Sequence, residues 1–181
     1  MILVSACLLG MPCRYDGRSK PAALTELSRA AALVPFCPEI YGGLPTPRPS
    51  AERDGERVKT KNGADVTEAF HRGAALAVEL AKALDCRCAL LKDKSPSCGR
   101  GRIYDGTFTG TLTDGSGVAA EALERAGVRV FMPQELDALL AQAQALSDSA
   151  RGAADEAESL RAQEAIAVAE AADGRAALSA L

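Results

Sequence analysis

The chain opens Met1-Ile2-Leu3-Val4-Ser5-Ala6-Cys7, a short apolar run that ends on a cysteine and reads as a buried strand. The pattern recurs. Leu33-Val34-Pro35-Phe36 runs directly into Cys37, and Ala89-Leu90-Leu91 lies a few residues before Cys98. In a parallel sheet the carboxyl ends of the strands converge on one rim, so residues far apart in the chain meet there. Three of the six cysteines are thus expected at one place, and thiolates are soft ligands for a metal or a cluster.

Helical segments separate these strands. A helix is expected from about Pro21 to Ala32, with Leu24, Leu27 and Ala31 at helical spacing and proline in the first turn. Asp65-Val66-Thr67-Glu68 has the form of a capping box, with Asp65 at the cap and Glu68 reaching back, ahead of a face made by Val66, Phe70, Ala77, Ala81 and Leu84. Another helix spans about Ser116 to Ala126 and stops at Gly127, a strand follows over Val128 to Met132, and a last helix begins near Pro133. Between the second strand and the long helix, Gly42, Gly43, Pro45, Pro47 and Pro49 make a shaped loop. Asp105-Gly106, between Ile103-Tyr104 and Thr107-Phe108, signals a small hairpin. The expected fold is α/β: a mainly parallel sheet with flanking helices (Rossmann-like, three-layer), a small β-hairpin insertion and a C-terminal helical extension. Residues 1–146 form the expected domain. Residues 147–181, rich in Ala, Glu and Arg, are expected as a surface helix or a frayed tail.

The 181 residues carry a net charge of −3, an ordinary profile in which nothing argues for a basic nucleic-acid patch beyond local positive clusters. No apolar run approaches the roughly 20 residues needed to span a bilayer. The start Met-Ile-Leu-Val lacks the basic segment of a signal peptide and enters a strand at once, so a cytoplasmic protein is expected, its cysteines free, catalytic or metal-bound.

The cysteine spacings match no zinc ribbon, thioredoxin-like pair or ferredoxin run. Cys86 and Cys88 begin an apolar strand and read as core residues. Cys7, Cys37 and Cys98 stand in loops beside Gly and Pro, where packing explains them less well. The single histidine, His71, follows Phe70 on a helix and has no expected role, which leaves acid–base work to carboxylates, hydroxyls or thiols. Glu39, two residues past Cys37, is the candidate carboxylate. Ser95 and Ser97 bring hydroxyls next to Cys98, in a run whose Ser, Pro and Gly content also suits a plain turn. Arg14 and Arg48 can orient a planar polar ligand through their guanidinium forks, or pair structurally with Asp16 or Glu52.

Four segments together carry a resemblance: Ser5 to Gly17, Cys37 to Arg48, Leu91 to Gly99, and Ile103 to Phe108. They resemble the thiouracil desulfurase (desulfidase) family over about Met1 to Leu146. The resemblance implies a [4Fe-4S] cluster held by Cys7, Cys37 and Cys98 alone, so that one iron stays open to the thiocarbonyl sulfur of a thiolated pyrimidine. Glu39 and Ser95 would then position and activate water, with no net redox change. Cys13 matches a family cysteine and would hydrogen-bond near the cluster. The implied partner is a small thiolated pyrimidine, with neither nucleic acid nor membrane. The competing reading is a redox or iron-binding sensor without catalysis; a structural zinc protein is disfavoured by the spacings.

Overall fold

The computed structural model describes residues 1–178. Four short strands, β1 (Ile2–Ser5), β2 (Leu33–Phe36), β5 (Cys88–Leu90) and β8 (Arg129–Phe131), form one fully parallel sheet in the order β2-β1-β5-β8. Every residue of β1 is buried, as expected of a strand covered on both faces. Alternation sends Leu3, Ala89 and Val130 to one side, where they pack with Ala77 and Ala81 of α3 (Thr67–Ala83) and Ala120 and Leu123 of α4 (Val118–Arg125). Ile2, Val4, Cys88 and Leu90 occupy the opposite face and are equally buried, while Cys86 packs on the α3 and α4 side, so both cysteines are core residues. Pro35 falls on β2, the edge strand, the position in a sheet that tolerates a residue without an N–H.

The connections refine several expectations. Helix α1 covers only Thr25–Ala30, four residues later than proline placement suggests. The preceding chain is held extended because the N–H groups of Lys20 and Ala22 donate to the carbonyls of Cys7 and Leu8, each at 2.9 Å. The proline-rich connection contains a one-turn helix, α2 (Pro38–Tyr41), and then a hairpin of β3 (Ala51–Asp54) and β4 (Arg57–Thr60) that turns through Gly55. No capping box forms at α3: Asp65 accepts from the Thr67 N–H at 2.9 Å, while Glu68 faces solvent beside Arg72. The second hairpin pairs β6 (Arg102–Tyr104) with β7 (Leu112–Asp114). Thr107 and Phe108 therefore lie in its connecting loop and not in a strand, because two backbone N–H groups of that loop bond a carboxylate instead of a partner strand. Gly127 (φ 84°) ends α4 as expected, with the Val128 N–H closing on the Leu123 carbonyl.

Two compact units divide the chain, Met1–Ala141 and Gln142–Leu181. The second unit continues α5 (Leu136–Leu178) as helix, with exposed side chains from Asp148 through Arg161. The final three positions of the expected tail lie outside the described residues. No helix among those described is long and apolar enough to cross a membrane.

One contact decides where the rim loops sit. A Cβ on Gly73 of α3 would fall 1.9 Å from the Pro38 carbonyl oxygen, and one on Gly42 would fall 2.1 Å from that of Ala69. Helices α2 and α3 thus meet backbone to backbone, which only glycine permits. In an ordinary helix interior Gly→Ala gains about 1 kcal/mol from propensity. Here overpacking outweighs it: Gly73→Ala is expected to lower the unfolding free energy by about 1–3 kcal/mol in urea titrations.

Candidate active site

Each of the three adjacent strands β2, β1 and β5 delivers one cysteine at its carboxyl end. After β1 the chain makes a short 3₁₀ turn, Ala6–Leu9, closed by Gly10 in the left-handed region, and Cys7 lies within it, buried. Its carbonyl takes the Lys20 N–H, which fixes the turn to the returning chain. After β2, Cys37 is the extended residue immediately before α2, with Pro38 at the first helical position. Stacking of Tyr41 on Phe36, ring centroids 4.4 Å apart, folds α2 back on its strand.

The third loop is the most constrained. The Lys92 N–H donates to the Ser5 hydroxyl at 3.0 Å, joining the ends of β5 and β1. Lys94 adopts φ 59°, and Ser95 Oγ then accepts from the N–H groups of Ser97 and Cys98, both at 3.1 Å. Gly117 packs so closely on this turn that a Cβ there would lie 2.4 Å from the Ser97 carbonyl carbon. Two N–H groups at the start of α4, those of Ala119 and Ala120, donate to the Ser97 carbonyl oxygen. Cys98 is held from both sides and is buried.

These loops enclose a cavity of about 500 Å³ lined by Cys7, Cys13, Cys37, Cys98, Glu39 and Ser95. All five residues singled out for the site in the sequence are therefore brought together, with Cys13 added. In an open α/β sheet ligands bind at the carboxyl edge where the strand order reverses, and the order β2-β1-β5 reverses beside β1. His71 is exposed on α3, away from the cavity lining. A second cavity of about 580 Å³ lies between the two hairpins and α4, and contains no cysteine.

Three of the thiols that line the cavity are shifted upward. Contact with Cys13 and burial raise the Cys37 thiol far above its usual range. Cys13 is also raised: its contact with Cys37 favours the thiolate, but Cys7 and burial prevail. Burial pushes Cys98 up to about 12, against the hydroxyls of Ser5 and Ser97, which favour its ionised form. A thiol shifted upward is less ionised, and so less reactive, than an ordinary one. A cationic centre reverses this balance by replacing the protons.

Does the donor set fit such a centre? Among the described residues no three His, Cys, Asp or Glu side chains are grouped to hold a single metal ion. The thiols instead line one cavity, which has room for a group larger than a single ion. The Ser97 hydroxyl is a second indication. Fully buried beside Cys98, it makes no hydrogen bond of ordinary geometry, and a thiolate would be a much stronger acceptor for it than the weakly accepting thiol.

The carboxylate is equally fixed. Arg48 Nε donates to Glu39 Oε2 at 2.8 Å, and Nη2 forms an ion pair with the same oxygen at 2.7 Å. The remaining donors go to the Pro45 carbonyl, the Thr46 hydroxyl and the Cys13 carbonyl. Arg48 is thus committed to the protein, with a partner other than the Asp16 or Glu52 weighed in the sequence, while Arg14 does pair with Asp16 at 3.2 Å. Glu52 and the loop of the second hairpin also reach this cavity; the sequence marks the loop as a turn and as part of the resemblance, but gives neither it nor Glu52 a place in the site.

Fold and cavity define a parallel α/β protein with a thiol-lined ligand site at its carboxyl rim. The chain belongs to the 2-thiouracil desulfurase family, which it matches over residues 2–135. It is similar to a solved [4Fe-4S]-dependent thiouracil desulfidase, TudS, at 52% identity and a TM-score of 0.76, covering 80% of this chain and 97% of that one. It is also 42% identical over 151 residues to YbbK, an uncharacterized protein of Bacillus subtilis (strain 168), covering 77% of this chain and all of that protein.

Removing the guanidinium strands a largely buried carboxylate. Arg48→Met is expected to cost about 2–4 kcal/mol, somewhat less than for a fully buried pair, in denaturant unfolding of the protein. The double variant with Glu39→Gln should recover part of that loss.

Proposed function

We propose that this protein removes sulfur from thiolated pyrimidines by hydrolysis, converting thiouracil to uracil and hydrogen sulfide with a [4Fe-4S] cluster. The observation that carries the reading is the meeting of Cys7, Cys37 and Cys98 with an arginine-held Glu39 around one cavity. It occurs in a chain that covers 97% of a [4Fe-4S]-dependent thiouracil desulfidase at 52% identity.

In this reading Cys7, Cys37 and Cys98 hold the cluster. When bound, it supplies one iron without a protein thiolate, a soft Lewis acid for the thiocarbonyl sulfur. Arg48 engages only Oε2 of Glu39, and Oε1 takes a proton from the attacking water. The Ser95 oxygen already accepts two backbone N–H groups, so its own hydrogen is the one left to orient that water. Water oxygen replaces sulfur on the ring carbon and sulfur leaves as hydrosulfide. No electrons are transferred. Cys13, beside both Cys7 and Cys37, tunes the thiolates by hydrogen bonding.

A purely sensory iron module has no use for a carboxylate fixed at the cavity, and we set that alternative aside. The cavity suits a small base and not a nucleic acid. A reducing compartment, the cytoplasm, keeps all six thiols free. Residues 1–146 carry the activity, and residues 147–181 are dispensable for it.

Anaerobic reconstitution followed by assay of uracil and sulfide from 2- and 4-thiouracil tests the proposal. Equal release of the two products is expected; a cluster-loaded protein that releases no sulfide overturns it. Cys98→Ala should fail to load the cluster, as judged by visible absorbance and iron content. Glu39→Gln should load it normally yet lose sulfide release by roughly 10²–10⁴-fold. A chain ending at Leu146 should match the full chain's rate within about twofold, the usual fate of changes remote from the site.

A further inference from the structure

The loop joining β6 to β7, residues 105–111, is built with more care than a surface connection needs. Its Gly106 and Phe108 N–H groups both donate to one oxygen of Glu52, at 3.0 and 2.9 Å, and Glu52 is buried beneath them. Asp105 accepts from the N–H and hydroxyl of Thr107, at 3.0 and 2.6 Å. A line of hydroxyl contacts then runs from Thr107 to Thr109 to Thr111, at 2.7 and 2.8 Å. Gly106, at φ 89°, lets the loop lie against the β3–β4 hairpin, where a Cβ would come 2.9 Å from that of Asp54.

All this holds Phe108 at φ 58°, in the left-handed region that a bulky residue adopts only at a steric cost. Phe108 is not among the buried core residues, so packing in the interior does not explain the strain. It does line the cavity that contains the cysteines and Glu39, together with Tyr104 of β6. Strain maintained by a dedicated hydrogen-bond network beside a reaction site points to a functional placement.

Resting on the desulfuration reading above, we infer that Phe108 is the residue that recognises the substrate ring, stacking its phenyl group on the face of the thiolated pyrimidine, and that Glu52 is the positioning residue that holds it there. Every pyrimidine has a π-face, so the stack is indifferent to which ring carbon bears the sulfur. The protein is therefore expected to accept planar thiolated six-membered heterocycles and to discriminate against saturated thioamides of the same size.

Reconstituted wild-type holoenzyme and variants at position 108 are compared for KM and kcat with 2- and 4-thiouracil, for equilibrium binding of uracil, and for thermal midpoint. Phe108→Leu should raise KM and weaken uracil binding by between about fivefold and a hundredfold, the usual worth of a base–aromatic stack, with kcat little changed. Phe108→Tyr should restore wild-type KM. Phe108→Gly relieves the backbone while removing the ring, so its thermal midpoint should equal or exceed that of wild type even as KM rises. Glu52→Leu should reproduce the rise in KM. Unchanged KM and uracil binding in Phe108→Leu overturns the inference, as does a Phe108→Gly protein that melts below wild type while its KM stays put. Absence of sulfide release by wild type would instead overturn the desulfuration reading itself, so the two failures are distinct.

Discussion

Side-by-side parallel pairing of β2, β1 and β5 is the constraint on which everything else depends. Ser5 is in register with Phe36, and Val4 with Leu90, so the three chains leave the sheet at one level. From each exit a different local device sets the distance to its cysteine. One is a 3₁₀ turn, one is a proline-initiated helix and one is a serine-braced turn. None of these short pieces is stable alone, and each is fastened to a regular element that buries apolar surface. The cavity is therefore as rigid as the sheet and the two helices, α3 and α4, that clamp its loops.

Of the carboxylates that line this cavity, the fold treats Glu39 and Glu52 in opposite ways. Glu39 is met by a full positive charge, and Arg48, holding it while making three further hydrogen bonds to the protein, is committed to the fold. Glu52 is met by backbone N–H groups, which neutralise nothing but fix direction. The first arrangement keeps an anion in place close to a thiol-lined centre. The second uses an anion as a bracket for a loop. A buried charge without either kind of support would cost several kcal/mol.

Much of this was legible in the chain itself. The three apolar runs ending near Cys7, Cys37 and Cys98 implied the parallel sheet and its common rim, because burial on both faces leaves a continuous apolar signature. Gly127 marked the end of α4 for the equally local reason that a left-handed residue there favours glycine. What escaped the reading depends on contacts distant in sequence. The start of α1 was displaced by hydrogen bonds to Cys7 and Leu8, which helix propensity does not register. The β3–β4 hairpin did carry an Asp54-Gly55 signal, but its strands are short and mostly polar, with Val58 the one large apolar residue in them. Arg48 was recognised as important and assigned the wrong partners, since nothing in a one-dimensional pattern says that the loop after α2 returns to Glu39.

Pro35 gives the sheet a property of a different kind. It interrupts the donor row of the outermost strand, two residues before Cys37. An edge with a missing donor is a poor template for another strand, from a neighbouring molecule or from a partly unfolded copy of the same chain. The sheet is thereby discouraged from growing past β2. Self-association by strand addition would bring foreign backbone alongside the loop that carries Cys37 and Glu39. A single ring at an edge position thus makes β2 an unfavourable place for strand addition.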